Sequence, residues 1–176
     1  MLIEDFRGEF QRYRSLGERA LAQIPDDALN LVPSPEGNSA AMIMRHVGGN
    51  LLSRFTDFLT TDGEKPDRDR EREFEIRSYT RAEADSWWAK GWSAVESALA
   101  ELNDEDLTST VSIRRQPLSA HAALCRSLAH ISYHVGQLVL LARMYAAGPW
   151  ESLSIPRGDS EAFNRKLGMA SVPKRS

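Results

Sequence analysis

The sequence predicts an all-α protein: an up-down four-helix bundle with a long loop between the second and third helices and a short hairpin before the fourth. Three observations carry this reading. Apolar residues recur at steps of three and four in four long segments, the spacing that gathers them on one helix face. Proline, glycine and asparagine cluster between the segments. One connection is a long run of charge, GEKPDRDREREFEIRS. Helices with one apolar stripe each bury those stripes against one another, and a bundle is the simplest arrangement that does so.

The first helix is expected from Leu2 to Ile24, where Leu2, Phe6, Phe10, Tyr13, Leu16, Ala20 and Ile24 form the stripe and Pro25 ends it. The loop LVPSPEGN follows. The second helix runs from Ser39 to Leu59 and stops at Thr60-Thr61-Asp62-Gly63. The charged connection 63–78 reads as a solvated loop. Thr80 and Glu83 have the spacing of a capping box and open the third helix, whose stripe is Ala84, Trp88, Gly91, Val95, Ala98 and Leu102. The β-branched alternation in TSTVSIRRQPL points to two short extended segments. The fourth helix is expected from Ser119 to Ala147, ended by Gly148-Pro149. Leu138 to Leu141 is apolar on every side, so that part should be covered all round, by the tail or by a second subunit in a homodimer. The tail, WESLSIPRGDSEAFNRKLG, reads as a loop with a short helix.

Residues 1–176 read as a single domain, long enough to bury a core without staples. The lone cysteine, Cys125, excludes an internal disulfide and fits a reducing compartment. MLIEDFRGEF has acidic residues and no apolar run, unlike a secretory signal. No stretch approaches the roughly 18 apolar residues of a membrane span. A net charge of −3 without a basic stripe gives no footprint for nucleic acid. The expectation is a cytoplasmic protein acting on a small molecule, with no nucleic-acid or membrane partner.

Chemistry concentrates in the histidines. His130 and His134 lie four apart in the apolar run LAHISYHVGQLVLLAR. At about 100° per residue this places them on one face, a turn apart. Two readings fit the pair: core histidines hydrogen-bonded to backbone or water, or two ligands of a divalent metal. A third ligand on another helix decides between them, and His46, beside the apolar stripe of Ile43, Val47, Leu51 and Phe58, is the candidate. His121 is about half a turn out of phase with His130 and reads as a polar residue in the first turn of its helix. Cys125 is about 140° off the same face and reads as an apolar filler.

Asn50, four after His46, and Gln137, three after His134, are placed to orient a ligand or touch a substrate, or to serve as ordinary core amides. Arg54 either meets an anionic substrate group at the pocket mouth or pairs with Asp57 or Glu64, and pairing is the commoner role for such an arginine. Tyr133 lies about 100° off the His134 face and is not assigned to catalysis. No carboxylate on these helices is phased with the histidines, which speaks against a mechanism needing a glutamate base. Gly48-Gly49 falls inside a helix, whereas a phosphate cradle needs a helix start.

A histidine on helix two, a His-x-x-x-His followed by Val-Gly-Gln on helix four, and the stretch NLLSRFTDFLTTDGEKPDRDREREFE together resemble the DinB/YfiT-like superfamily of metal-dependent proteins. The tail stretch LSIPRGDSEAFN resembles one branch of it, and the likeness extends from about Arg45 to Phe163. The resemblance implies a four-helix bundle holding a divalent metal, commonly zinc, nickel or iron, on three histidines, here His46, His130 and His134. It also implies chemistry in which a low-molecular-weight thiol is joined to an electrophile, or an isomerisation dependent on such a thiol. Three neutral imidazoles leave an open position on the metal and serve water as well as a thiol. The expected function is a metal-dependent S-transferase or hydrolase in a stress or detoxification role. The alternative is a non-catalytic bundle whose metal is structural or mediates an interaction.

Overall fold

The computed structural model describes residues 1–169 as four long helices, a two-stranded hairpin and a short helix near the end. Helix α1 spans Leu2–Leu21, α2 Ala40–Phe55, α3 Arg81–Glu101, α4 Ala120–Tyr145 and α5 Ser160–Lys166; β1 is Thr110–Ile113 and β2 Gln116–Ser119. Side-chain caps fix three starts. Ser39 Oγ accepts from the Met42 amide and Ser119 Oγ from that of Ala122, and Thr80 and Glu83 make the expected reciprocal box. Helix α2 is shorter than its stripe predicts, because Thr56 turns extended and Asp57 takes a left-handed φ of 48°. Helix α1 likewise ends at Leu21, a turn before Ile24, and α4 ends at Tyr145.

The helix directions follow from who meets whom. Phe6 packs edge-on against His121 and Gly17 lies against Val135, so α1 and α4 run in the same direction. Helix α2 runs against α4, with His46 beside His134 and Arg54 on the same cavity wall as Arg126. Residues 56–80 then carry the chain back along the bundle. Helix α3 therefore begins near the start of α2, where Arg45 donates to the Tyr79 hydroxyl at 2.6 Å, and it runs parallel to α2. The bundle is thus up, down, down, up, and alternation does not extend across the long connection.

Helices α2 and α3 make the closest contact in the bundle. A Cβ on Gly48 would lie 2.2 Å from the Trp87 carbonyl oxygen, and one on Gly91 would lie 2.7 Å from the Gly48 Cα. Only hydrogen at both positions permits that approach. The core on either side is built from Phe10, Ile43, Met44, Leu51, Trp92, Leu124, Ile131 and Leu138, all buried.

The short extended segments form the expected antiparallel hairpin, with Ile113 opposite Gln116 and a two-residue turn of Arg114-Arg115. Both arginines are left-handed, with φ of 53° and 61°, which matches strand twist but suits glycine or asparagine better. Asp62 holds the turn: its carboxylate accepts from the Arg114 amide at 2.8 Å and from the Arg115 amide and Ser112 Oγ at 2.7 Å. These bonds, Ser112 first, hold its pKa well below the usual carboxylate range.

Three expectations are corrected. Leu138 and Leu141 are buried, but Leu140 is 60% exposed, so α4 is not covered all round. The tail packs elsewhere, with the Gln23 side chain bonded to both backbone groups of Glu151 and with Trp150 and Leu153 against the core. Cys125 is exposed, one turn from His121, and fills no core position. Among the described residues, no helix is long and apolar enough to cross a membrane.

Candidate metal centre

His46 from α2 and His130 and His134 from α4 converge. His130 Nε2 lies 3.2 Å from His46 Nε2 and 3.1 Å from His134 Nε2. The cluster forms because α2 and α4 cross with these faces inward, and because a four-residue spacing on α4 presents two rings side by side. His46 and His134 are buried and His130 is half-buried. Burial first, and the neighbouring His134 and His46 next, push the His130 pKa down to about 3. Burial also brings His134 down to about 4, against the opposing effect of the hydrogen bond it donates to Gln137. Both are neutral imidazoles at physiological pH.

The outer nitrogens are fixed by partners. His46 Nδ1 lies 2.8 Å from Glu73 Oε2, and His134 Nδ1 lies 2.8 Å from Gln137 Oε1. A carboxylate or amide oxygen only accepts, so each Nδ1 carries its ring's proton and each Nε2 turns a bare lone pair to the centre. A proton on His130 Nε2 satisfies one of these lone pairs and leaves the other facing it unshared. His130 Nδ1 is buried with no partner among the described residues. At about 2.05 Å from each nitrogen, tetrahedral geometry around one cation spaces the donors roughly 3.3 Å apart. Two of the three pairs lie at 3.1 and 3.2 Å, and all three ligand atoms lie within 4.8 Å of one another. The three histidines form a cluster able to hold a metal ion.

Glu73 is the residue that helix phasing misses. It sits in the charged connection, expected to be a solvated loop, yet it is only 4% exposed. Arg68, in the same connection, grips it with two bonds of 2.8 Å. Burial alone raises the Glu73 carboxyl, but the bonds from His46 and Arg68 outweigh it and hold the pKa below its ordinary value. Space comes from Gly49, where a Cβ would lie 2.3 Å from Glu73 Oε1. Phe74, next in the chain, closes over the His46 ring at a centroid distance of 4.6 Å. Asp67, Asp69, Glu71 and Arg72 are exposed as expected, whereas at the start of the connection Gly63 is buried and Glu64 and Lys65 are half-buried.

A cavity of about 470 Å³ opens onto His46 and His130. Asn50 and Ser127 line it one turn from the centre, and the hairpin closes one side. Arg54 reaches it too, but its guanidinium pairs with Glu64 at 3.0 Å and also donates to the Gly63 carbonyl, so the pairing role holds, with Glu64 and not Asp57. Tyr133 is 62% exposed and stands beside the His134 ring, bonded to Gln137 at 3.4 Å. His121 stands apart at the start of α4.

Residues 1–159 match the model of a family described as protein of unknown function (DUF1572). The chain belongs to this family. Two solved structures share the fold of this DUF1572 chain. A conserved protein from Enterococcus faecalis is 17% identical with a TM-score of 0.61, covering 81% of this chain and 95% of its own. A DinB-like protein from Bacillus cereus is 18% identical with a TM-score of 0.61, covering 84% and 97%. The DUF1572 bundle is therefore DinB-like in fold, as the sequence resemblance implied. No curated protein matches it. What the fold does not supply, the side chains do: in this DUF1572 chain the charged connection contributes the carboxylate that fixes His46.

Proposed function

We propose that His46, His130 and His134 hold a divalent metal ion, zinc, nickel or iron, and that the protein is a metal-dependent enzyme acting on a small molecule in the adjoining cavity. The observation that carries this reading is the convergence of lone pairs whose outer nitrogens are already committed to Glu73 and Gln137. A buried cluster of that kind is unfavourable without a cation and favourable with one. When bound, a dication on three neutral imidazoles keeps its charge and lowers the pKa of a thiol or water it contacts. The remaining work belongs to the chain. Glu73 and Gln137 hold protons on Nδ1 of His46 and His134, and Asn50 and Ser127 offer hydrogen bonds to a bound molecule. The bundle and hairpin restrict water around it.

Transfer of a low-molecular-weight thiol to an electrophile is the form of this chemistry that the superfamily resemblance favours, with hydrolysis as the second. A purely structural metal is less well supported. Among the described residues the cluster has three members, not four, and a cavity lies against it. Structural zinc sites are closed by a fourth protein ligand.

Metal content of untagged protein, measured by mass spectrometry beside the triple His46/His130/His134→Ala variant, tests the site. The expected result is close to one metal ion per chain, lost in the variant. Equal metal in both, or failure of the wild-type protein to take up zinc, nickel or iron on titration, overturns the proposal.

A further inference from the structure

The cavity beside the histidines is lined by five arginines and by no carboxylate. Arg54, Arg68, Arg70, Arg114 and Arg126 share the wall with Asn50, Gln116 and Ser127. Behind them stand few counter-charges. Glu64 alone faces Arg54 at 3.0 Å, Arg114 at 3.3 Å and Arg68 at 3.5 Å. Glu73 is committed to Arg68 and His46, and Glu71 to Arg70. Arg126 makes no ion pair among the described residues. Guanidinium groups thus outnumber the carboxylates, and all the nearby polar side chains in the wall can donate hydrogen bonds. Low-dielectric walls strengthen such a field.

The placement is ordered along the helices. On α4, Arg126 precedes His130 by four residues and lies on the same face, about 6 Å along the axis. On α2, Arg54 follows His46 by eight, on the same face and about 12 Å along. Because the two helices run in opposite directions, both arginines stand at the same end of the cavity, away from the histidines. There the hairpin adds Arg114. That residue is held in a left-handed conformation that an arginine disfavours, and three bonds to Asp62 keep the turn in place. A strained turn that presents a cation to a cavity has the pattern of a binding device.

We infer that the substrate is a small acid, bound with its carboxylate or phosphoryl group between Arg114 and Arg126 while its reactive end reaches the histidines, of which His130 lies about 6 Å from Arg126 along α4. This rests on the enzyme reading above and adds the substrate class to it. Arg126 and Arg114 are the recognition residues. Their guanidinium forks suit a planar or tetrahedral oxyanion, and neither is buried behind a dedicated partner as Arg68 is. Arg54 is half-buried and held by both Glu64 at 3.0 Å and the Gly63 carbonyl, so it sets the field and does not itself bind, whereas Arg114 only shares Glu64 at 3.3 Å and is 60% exposed.

The test uses metal-stripped protein, so that it does not depend on the metal reading. Succinate, inorganic phosphate and the neutral analogue succinamide are titrated by calorimetry into wild type, Arg126→Ala, Arg114→Ala/Arg126→Ala and Arg115→Ala. Arg115 has the same charge and shares the turn but lies outside the cavity wall. Succinate or phosphate should bind, succinamide should not, and the double variant should lose affinity about tenfold or more. Arg115→Ala should stay within about twofold. Preference between succinate and phosphate identifies the anionic group as carboxylate or phosphoryl. No binding of either anion, or an equal loss in Arg115→Ala, overturns the inference. Metal content of the same double variant should match wild type, so failure of the anion site and failure of the metal site register separately.

Discussion

Glu73 does three jobs with two oxygens. One accepts from His46 and both accept from Arg68, in a place that Gly49 keeps open. Replacing it with glutamine keeps the shape but removes the charge and turns one acceptor into a donor. Arg68, whose side chain is 5% exposed, is left without its full counter-ion, and His46 loses the acceptor that fixes its proton on Nδ1. Partners of this kind typically change metal affinity 10–100-fold. We therefore expect Glu73→Gln to bind zinc about 10–100 times more weakly in chelator competition. Its stability should fall by about 1–3 kcal/mol, the cost of leaving a buried charge poorly paired. A variant that loses stability but keeps its zinc affinity would show that the carboxylate serves the fold alone.

At the scale of elements, the contact between α2 and α3 decides whether His46 is presented correctly, since Gly48 lies two residues beyond it. The atoms that a methyl group would strike at Gly48 and Gly91 are backbone atoms, which cannot swing aside. Gly48→Ala and Gly91→Ala should each cost about 3 kcal/mol or more by urea denaturation, at the upper end of overpacking effects. Gly136, in α4 with nothing within 4 Å of its would-be Cβ, is the control. There alanine should stabilise by about 0.5–1 kcal/mol, the ordinary helix preference. Destabilisation of equal size at Gly136, where a Cβ meets nothing, would show that the cost at Gly48 and Gly91 does not come from the close approach of α2 and α3. The same elements mark what the sequence makes legible. Stripes at helical spacing locate all four long helices, and phasing alone brings His130 and His134 together and sends His121 and Cys125 away. Phasing has nothing to say about the connection 63–78, which has no period. Glu73 and Arg68 look there like their exposed neighbours Glu71, Arg72 and Asp69. The only local sign is Phe74, an aromatic residue in a charged run, marking where the loop turns inward. Helix ends escape for another reason: the Asp57 backbone, not any loss of the apolar stripe, stops α2.

For the whole molecule, the centre makes stability depend on pH. In the unfolded chain a histidine titrates near 6.5, whereas in the folded protein His130 and His134 are brought down to about 3 and 4, chiefly by burial. Between those values the unfolded state holds more protons, so stability increases with pH. The stabilisation is fully present above about pH 6.5 and is lost progressively as the solution is acidified through about pH 4 for His134 and about pH 3 for His130. Glu73 and Asp62, whose pKa values are lowered, add a second loss that begins only near the ordinary carboxylate range. Above the ordinary carboxylate range only the histidines contribute, so their part of the loss is separable there. Metal-stripped protein taken from pH 7.5 to pH 5 should lose on the order of 1–3 kcal/mol by urea denaturation. A His130→Gln/His134→Gln variant, which keeps polar side chains without a titrating ring, should lose much less over that interval and follow wild type only below about pH 3. Zinc should steepen the wild-type dependence, because protons compete with the metal for the same nitrogens. If wild type and the double variant fall in parallel from pH 7.5 to pH 5, the histidine cluster is not the source of the acid sensitivity. The lone pairs at the centre would then have to be protonated in the folded state, which removes the argument that they await a cation.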